Sequence, residues 1–143
     1  MSYWSVVEGY SGTPLSIKLG IKEESTVVLW HAPPTFFLEV PTSVTIGRQA
    51  KGHADVVLAF FTQRAEFAQQ IEALGEMIVP SGGLWIAWPK GASEVAADMT
   101  DHLVREVALP MGLVDNKVCA LDATWTGLRL VWRLSVRDNL AQK

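Results

Sequence analysis

The sequence predicts an α/β fold, a three-layer sandwich around a mixed β-sheet. Three runs of consecutive β-branched, aromatic and other apolar residues are typical of parallel strands that are buried on both faces. Helical patterns separate these runs, which indicates strand–helix–strand connections. Near the end of the chain apolar and polar residues alternate, as in an antiparallel strand with one solvated face. We therefore expect parallel central strands and a C-terminal antiparallel hairpin.

The first half of the chain predicts one helix and three strands. A Thr-Pro pair is typical of a helix start, and the pattern that follows predicts a short helix over 14–19. The run over 26–30 predicts a buried strand, and the prolines after it end regular pairing. We also expect a short helical turn over 36–40, a weak edge strand over 44–46 and the clearest buried strand over 55–61.

The middle of the chain predicts two amphipathic helices and a third buried strand. Thr62 is expected to cap a helix whose apolar residues repeat at helical spacing, and the Pro-Ser-Gly-Gly turn at 80–83 ends that helix. The third buried strand covers 84–88. Thr100 is expected to cap the next helix, which ends at Pro110.

The closing hairpin is predicted from two segments, 117–121 and 128–134. In the second segment apolar residues alternate with Arg129 and Arg133, which indicates one solvated face. A loop that contains Trp125 is expected to join the two segments.

Composition and charge narrow the classes of function. The 143 residues suit a single domain, 1–143, and a net charge of −3 without a run of Lys or Arg predicts no nucleic-acid partner. Cys119 is the only cysteine, which excludes an intramolecular disulfide and suits a reducing compartment; we expect it to be buried. The most apolar run, 56–61, is too short to cross a bilayer, and the N-terminus does not resemble a signal peptide. We therefore expect a cytoplasmic protein without a membrane partner.

The middle of the chain resembles the middle of class I methyltransferases. The resemblance rests on a buried strand, an amphipathic helix, the Pro-Ser-Gly-Gly turn at 80–83 and the next strand, all within 55–89. The hairpin over 117–134 resembles the antiparallel pair that ends that fold. The resemblance implies a Rossmann-like sheet.

A second resemblance covers nearly the whole chain and is to a family of short bacterial proteins that has no assigned activity. It rests on the motifs GYSGTPL at 9–15, WPK at 88–90, DNKVCA at 115–120 and WTGLR at 125–129. This resemblance implies the Rossmann-like fold and no particular reaction.

The chain departs from the methyltransferases at the loop that follows its first buried strand. Those enzymes carry a glycine-rich loop there, which lets the backbone approach the cofactor closely. Residues 30–36 read WHAPPTF instead, and Pro33 and Pro34 remove two N–H donors and fix φ. No acidic residue closes a second strand at the place where the ribose would be held. We therefore predict no cofactor, and binding of S-adenosylmethionine in the usual way is disfavoured.

Polar side chains follow the predicted strands at the edge where open α/β sheets bind ligands. His31, Lys90 and Ser93 are expected to meet there. His31 can act as a general base, or it caps the end of its strand against a backbone carbonyl. Lys90 and Ser93 can hold a small anionic ligand, or Lys90 is a solvated turn residue.

A second polar cluster is predicted at the hairpin. Asp115, Asn116 and Lys117, together with Trp125 and Arg129, can line a pocket that offers an aromatic face and a guanidinium group. The alternative is a turn followed by a strand with one solvated face. We expect no metal site, because the three histidines lack the spacing of metal ligands.

These observations leave two functions open. The first is a non-catalytic Rossmann-like module that binds a protein partner, another copy of the chain or a small ligand, because the sequence carries no recognised catalytic or cofactor motif. The six tryptophans suit an interface of that kind. The alternative is a divergent methyltransferase-like enzyme with a non-standard pocket for an adenosyl cofactor, which would use His31 or Lys90. A nucleic-acid accessory role is opposed by the acidic balance.

Overall fold

A computed structural model describes residues 14–141 of the chain. In this range one mixed sheet contains six strands, and their order across the sheet is β2-β1-β3-β4-β6-β5. The first four in this order run parallel, whereas β6 is antiparallel to β4 and β5 is antiparallel to β6. The strands are β1 (Thr26–Trp30), β2 (Thr45–Gly47), β3 (Val56–Phe60), β4 (Gly83–Pro89), β5 (Leu113–Ala120) and β6 (Trp125–Trp132). The predicted α/β fold with parallel central strands and a C-terminal antiparallel hairpin is therefore confirmed.

The three predicted helices are present, and the structure adds a fourth. They are α1 (Leu15–Lys18), α2 (Arg64–Met77), α3 (Asp101–Ala108), which continues into a 3-10 turn at Leu109–Met111, and the unpredicted α4 (Leu134–Ala141). The sequence pattern places Leu134 at the end of the last strand, but in the structure it begins α4 and is exposed. None of the helices within residues 14–141 has both the length and the apolar character needed to span a lipid bilayer.

Two apolar layers cover the sheet, one on each face. On the α2 face, side chains such as Trp30, Ile86 and Trp88 pack against α2 and α3. On the α1 face, side chains such as Phe60 and Trp85 pack against the residues that follow α1 and against the loop from β1 to β2. The second layer is therefore built mostly from loop.

The helical turn predicted over 36–40 is wrong, because this segment has no helical structure. Its apolar residues Phe36, Leu38 and Val40 alternate along the chain, and all three pack against the α1 face of the sheet. An extended chain directs every second side chain to the same side, so alternation lets this segment cover the sheet without forming a helix.

The predicted helix caps have different outcomes. Thr100 caps α3, and its hydroxyl oxygen accepts a hydrogen bond from the backbone N–H of Leu103 at 3.1 Å. Thr62 does not cap α2, which starts one residue later and has no capping side chain of its own. Instead the Asp98 carboxylate accepts a hydrogen bond from the backbone N–H of Arg64 at 2.7 Å. The loop after β4 therefore provides the cap and is held at the start of α2.

Four of the tryptophans belong to the core. Trp30, Trp85, Trp88 and Trp132 are each at most 8% exposed, and Trp125 is partly buried against the α1-face layer. The rings of these five tryptophans supply apolar area to the core and its edge, not to an interface, and Trp4 lies outside the described residues.

Candidate functional site

The carboxyl ends of β1, β3 and β4 meet at one edge of the sheet, which we call the carboxyl edge. The strands are parallel neighbours, so the residues that follow them are brought together. The antiparallel strand β6 begins at the same edge, where Pro89 of β4 pairs with Trp125. His31, Phe61 and Lys90 therefore lie at the edge where a ligand is expected.

His31 adopts an unusual backbone conformation directly after β1. Its φ of 57° lies in the left-handed region, which glycine adopts at low cost and other residues rarely adopt. The imidazole ring is stacked on the indole of Trp30, with centroids 3.5 Å apart and planes 8° apart. Its Nδ1 lies 4.0 Å from the Glu66 carboxylate of α2, and about half of the side chain is exposed. The sequence alone did not reveal this acidic neighbour, and the expected bond to a carbonyl is not formed within the described residues.

The left-handed conformation of His31 predicts that a glycine variant is more stable than an alanine variant, the reverse of the usual order. His31→Ala removes the stacking on Trp30 and keeps the strain, whereas His31→Gly removes both. We therefore expect the glycine variant to be more stable than the alanine variant by about 1 kcal/mol, measured by urea unfolding. At an ordinary strand end alanine is the more stable of the two, so that order would contradict the conformation.

The loop after β1 does not fit an adenosyl cofactor in the usual way. Pro33 and Pro34 contribute no N–H donors, and the Pro33 carbonyl accepts a hydrogen bond from the N–H of Phe36, which closes a turn. The Phe36 ring packs edge-on against Phe60, and Phe60 packs in the same way against Trp125. Aromatic rings therefore occupy the α1-face side of the carboxyl edge.

A cleft of about 440 Å³ opens on the α2 face where β4 ends. Its volume lies within the range of small-molecule sites, about 300–1,000 Å³. Its apolar wall includes Trp88, Val95, Met99 and Val118. Its polar groups include Lys90, Thr100, Asp101 and Thr126. The cleft thus combines apolar surface with groups of both charges.

Two of these charged groups are held in place by neighbours. The Lys90 ammonium donates a hydrogen bond to the Asp122 carbonyl at 2.8 Å, which fixes it against the hairpin loop. The Arg105 guanidinium contacts the carboxylates of Asp101 and Asp115, each at 3.0 Å, and ties α3 to β5. The hydrogen bond from Arg105 lowers the pKa of Asp101, so Asp101 is a carboxylate at neutral pH.

Ser93 lies in the turn after β4, as the sequence predicts. Its backbone N–H donates to the Lys90 carbonyl at 2.9 Å, and its hydroxyl oxygen accepts a hydrogen bond from the Val95 N–H at 3.4 Å. These bonds give Ser93 a structural role in the turn. Its contact with an anion remains a prediction.

The structure separates the second predicted cluster. The pairing of β5 with β6 shifts between Asp115, which lies opposite Leu130, and Lys117, which lies opposite Arg129. This bulge leaves Asn116 unpaired and places its two neighbours on opposite faces of the sheet. Trp125, expected in a loop, is instead the first residue of β6.

Trp125 and Arg129 share a face but lie four residues apart on β6, which is about 13 Å along a strand. The five residues of this cluster therefore do not line one pocket, and their ligand contacts remain predictions. Cys119 is buried as expected, and burial raises the pKa of its thiol. In the described part of the chain, His, Cys, Asp and Glu side chains form no group of three or more that could hold a metal ion.

The comparisons with known proteins concern the fold. No family model and no curated protein matches this chain. A SAM-dependent methyltransferase from Aquifex aeolicus aligns with a TM-score of 0.57 and 12% identity, over 80% of this chain and 85% of that chain. Magnesium protoporphyrin IX methyltransferase from Synechocystis PCC 6803 aligns with a TM-score of 0.46 and 16% identity, over 62% of this chain and 51% of that chain. A chain in the structure of a fibrillarin/Nop5p complex aligns with a TM-score of 0.48 and 9% identity, over 78% of this chain and 74% of that chain.

Of these three alignments, we base the fold assignment on the Aquifex enzyme, because its TM-score lies above 0.5 and the alignment covers most of both chains. A TM-score of 0.57 over this coverage shows that the two chains share a fold. At 12% identity the likeness concerns the fold and not the activity. This chain has the Rossmann-like fold of the class I methyltransferases.

Proposed function

We propose that this protein is a divergent methyltransferase-like enzyme that binds an adenosyl ligand in the cleft at the end of β4. The likeness to the Aquifex SAM-dependent methyltransferase over 80% of this chain and 85% of that chain is the observation that carries the proposal. At 12% sequence identity, the two chains share the fold and little of their sequence. This likeness supports the enzyme more than it supports a non-catalytic module.

The cleft offers groups that complement an adenosyl ligand with an amino-acid tail. The apolar wall with Trp88 and Met99 suits the flat base. The Asp101 carboxylate uses one lone pair on each oxygen for Arg105 and for the His102 N–H, which leaves further lone pairs to accept ribose hydroxyls. The Lys90 ammonium has donors left for the carboxylate of the tail after its bond to Asp122. These groups lie away from the loop after β1, so the pocket is non-standard.

Thermal unfolding of the full chain with S-adenosylmethionine, S-adenosylhomocysteine and ATP tests the proposal. The two adenosyl compounds are expected to stabilise the chain by about 2.7 kcal/mol at a hundredfold excess over their dissociation constants, and ATP less. Asp101→Asn and Lys90→Met should weaken this effect, because both residues line the cleft. Glu106→Gln, on an exposed part of α3, is the matched control and should respond like the wild type.

Failure of both adenosyl compounds to stabilise the wild type would contradict the enzyme. A response that survives in both cleft variants would contradict the position of the ligand. In that case the loop over 31–36 would become the next segment to substitute.

The second candidate is the non-catalytic module that binds a protein, another copy or a small ligand. The observation that favours it is the loop after β1, where two prolines and packed aromatic rings replace a flexible cradle. Sedimentation velocity over a wide concentration range tests its self-association. Association without any adenosyl response supports the module, and a monomer at high concentration counts against self-association.

A further inference from the structure

The loop that joins β4 to α3 forms part of the cleft at the end of β4. Residues 91–97 of this loop read GASEVAA, and Gly91, Val95 and Ala97 line the cleft. All of the residues in 91–97 except Ser93 are exposed. The loop therefore contributes to the wall of the cleft while adding little to the buried core.

Hydrogen bonds hold both ends of this loop. At the first end, the Lys90 N–H donates to the Thr124 carbonyl at 2.8 Å, and its ammonium donates to the Asp122 carbonyl at 2.8 Å. At the other end, the Asp98 N–H donates to the Thr62 carbonyl at 3.1 Å, and the Asp98 carboxylate caps α2. The two ends are therefore fixed, one to the hairpin loop and the other to the start of α2.

The middle of the loop makes no bond to the rest of the described chain. The Ser93 N–H donates to the Lys90 carbonyl and the Val95 N–H donates to the Ser93 hydroxyl oxygen, and both bonds are local. Five of the seven residues in 91–97 are Gly, Ala or Ser, whose small side chains bury little apolar surface. A Cβ atom on Gly91 would meet nothing within 4 Å, so open space lies beside the first residue. Segments with so few contacts change position at a low cost in free energy.

Two valines at the cleft leave apolar surface exposed. Val95 of the loop is 44% exposed and Val118 of β5 is 62% exposed, although both line the same cleft. Movement of the loop toward β5 would bury both side chains, which is favourable. The ordering of the loop opposes this gain, and a ligand that contacts both walls of the cleft would shift the balance toward the closed position.

We propose that residues 91–97 form a lid that closes over the cleft toward Val118 of β5. The fixed ends at Lys90 and Asp98 act as hinges, and the segment between them moves. Closure excludes water from a ligand in the cleft and slows its release. The role of the lid in ligand binding rests on the proposed adenosyl site, whereas its movement does not.

Disulfide trapping without any ligand tests the movement. Val95→Cys and Val118→Cys are combined, and Cys119→Ser in the same chain removes the native thiol. Two cysteines form a disulfide only when their Cβ atoms approach to about 3.5–4.5 Å. Both valines are exposed in the described conformation, so a disulfide between these positions reports a loop that has moved toward β5. Under mild oxidation at low protein concentration we expect an intramolecular disulfide, measured by mass spectrometry.

Ala92→Cys combined with Val118→Cys, again with Cys119→Ser, is the matched control. Ala92 belongs to the same loop and is exposed, but it does not line the cleft. We expect this pair to form its disulfide about tenfold more slowly, because closure does not direct Ala92 toward β5. A disulfide in neither pair, or equal rates in the two pairs, would overturn the lid whether or not an adenosyl compound binds.

Hydrogen exchange of the wild type with S-adenosylhomocysteine tests the role of the lid in binding. The backbone amides of Ala92, Glu94 and Ala96 have no acceptor among the described residues, so they should exchange fast in the free chain. We expect the ligand to slow their exchange about tenfold, and more than it slows the exchange of α4. Thermal stabilisation by the ligand without slower exchange in the loop would overturn the lid and leave the adenosyl site standing. Absence of stabilisation by any adenosyl compound would contradict the adenosyl site, and the disulfide rates would then decide the lid.

Discussion

Trp85→Ala is expected to lower the free energy of unfolding by about 3–5 kcal/mol, because it removes a large buried ring from the middle of the sheet. Trp85 lies at the centre of β4, is fully buried, and belongs to the apolar layer on the α1 face. Its indole N–H donates a hydrogen bond to the Leu19 carbonyl at 3.0 Å, just after α1. Small domains are stable by only about 5–15 kcal/mol, so the variant is expected to be marginal in urea unfolding.

Trp85→Phe separates the hydrogen bond from the packing. Phenylalanine keeps much of the apolar volume but leaves the Leu19 carbonyl without its donor, which costs about 1–3 kcal/mol. Hydrogen exchange around α1 should accelerate in this variant, because the bond ties that segment to the sheet. Trp132→Phe is the matched control, since its indole N–H donates to Gly75 of α2 on the other face. Unchanged exchange around α1 in Trp85→Phe would contradict the role assigned to the bond.

The strands that are buried on both faces could be located from the sequence, and the segments that depend on distant partners could not. The runs that form β1, β3 and β4 are continuous because both faces of the sheet are covered. The segment 36–40 has a similar composition, but it packs as an extended loop on the α1 face. The conformation of this segment depends on the apolar face of the sheet that it covers. The local sequence pattern contains no information about that face.

In the candidate site, too, the sequence indicates the positions that depend on the strand order and not the contacts with distant segments. The position of His31 and Lys90 at the carboxyl edge follows from the parallel topology, which the sequence predicts. Glu66 beside His31 and Asp98 at the start of α2 come from segments far along the chain, and no spacing rule indicates them. The bulge at Asn116 is decided by the pairing with β6. One extra residue reverses the face of the side chains that follow it. Asp115 and Lys117 therefore lie on opposite faces of the sheet and do not line one pocket.

Gly82→Ala is expected to destabilise the chain by about 1–3 kcal/mol, because the turn before β4 has no room for a side chain. A Cβ atom at Gly82 would lie 2.8 Å from the Asp55 carbonyl oxygen, and 3.0 Å from both the Ala54 carbonyl oxygen and the Ile78 Cβ. Two of these atoms belong to the backbone just before β3, and the Asp55 carbonyl accepts a hydrogen bond from the Gly83 N–H, so they cannot move without disturbing the pairing of β3 with β4. The Pro-Ser-Gly-Gly turn thus needs its first glycine for close approach between two backbone segments.

Gly91→Ala is the matched control, because no atom lies within 4 Å of a Cβ at that position. We expect its stability in urea unfolding to stay within about 0.5 kcal/mol of the wild type. Gly83→Ala should fall between the two variants, since the three atoms nearest to the new methyl group all belong to the guanidinium of Arg129. Equal stability of the Gly82 and Gly91 variants would show that the turn is wider than described. A smaller loss at Gly83 than at Gly82 is the result that close backbone packing requires, because a flexible guanidinium can move and a paired strand cannot.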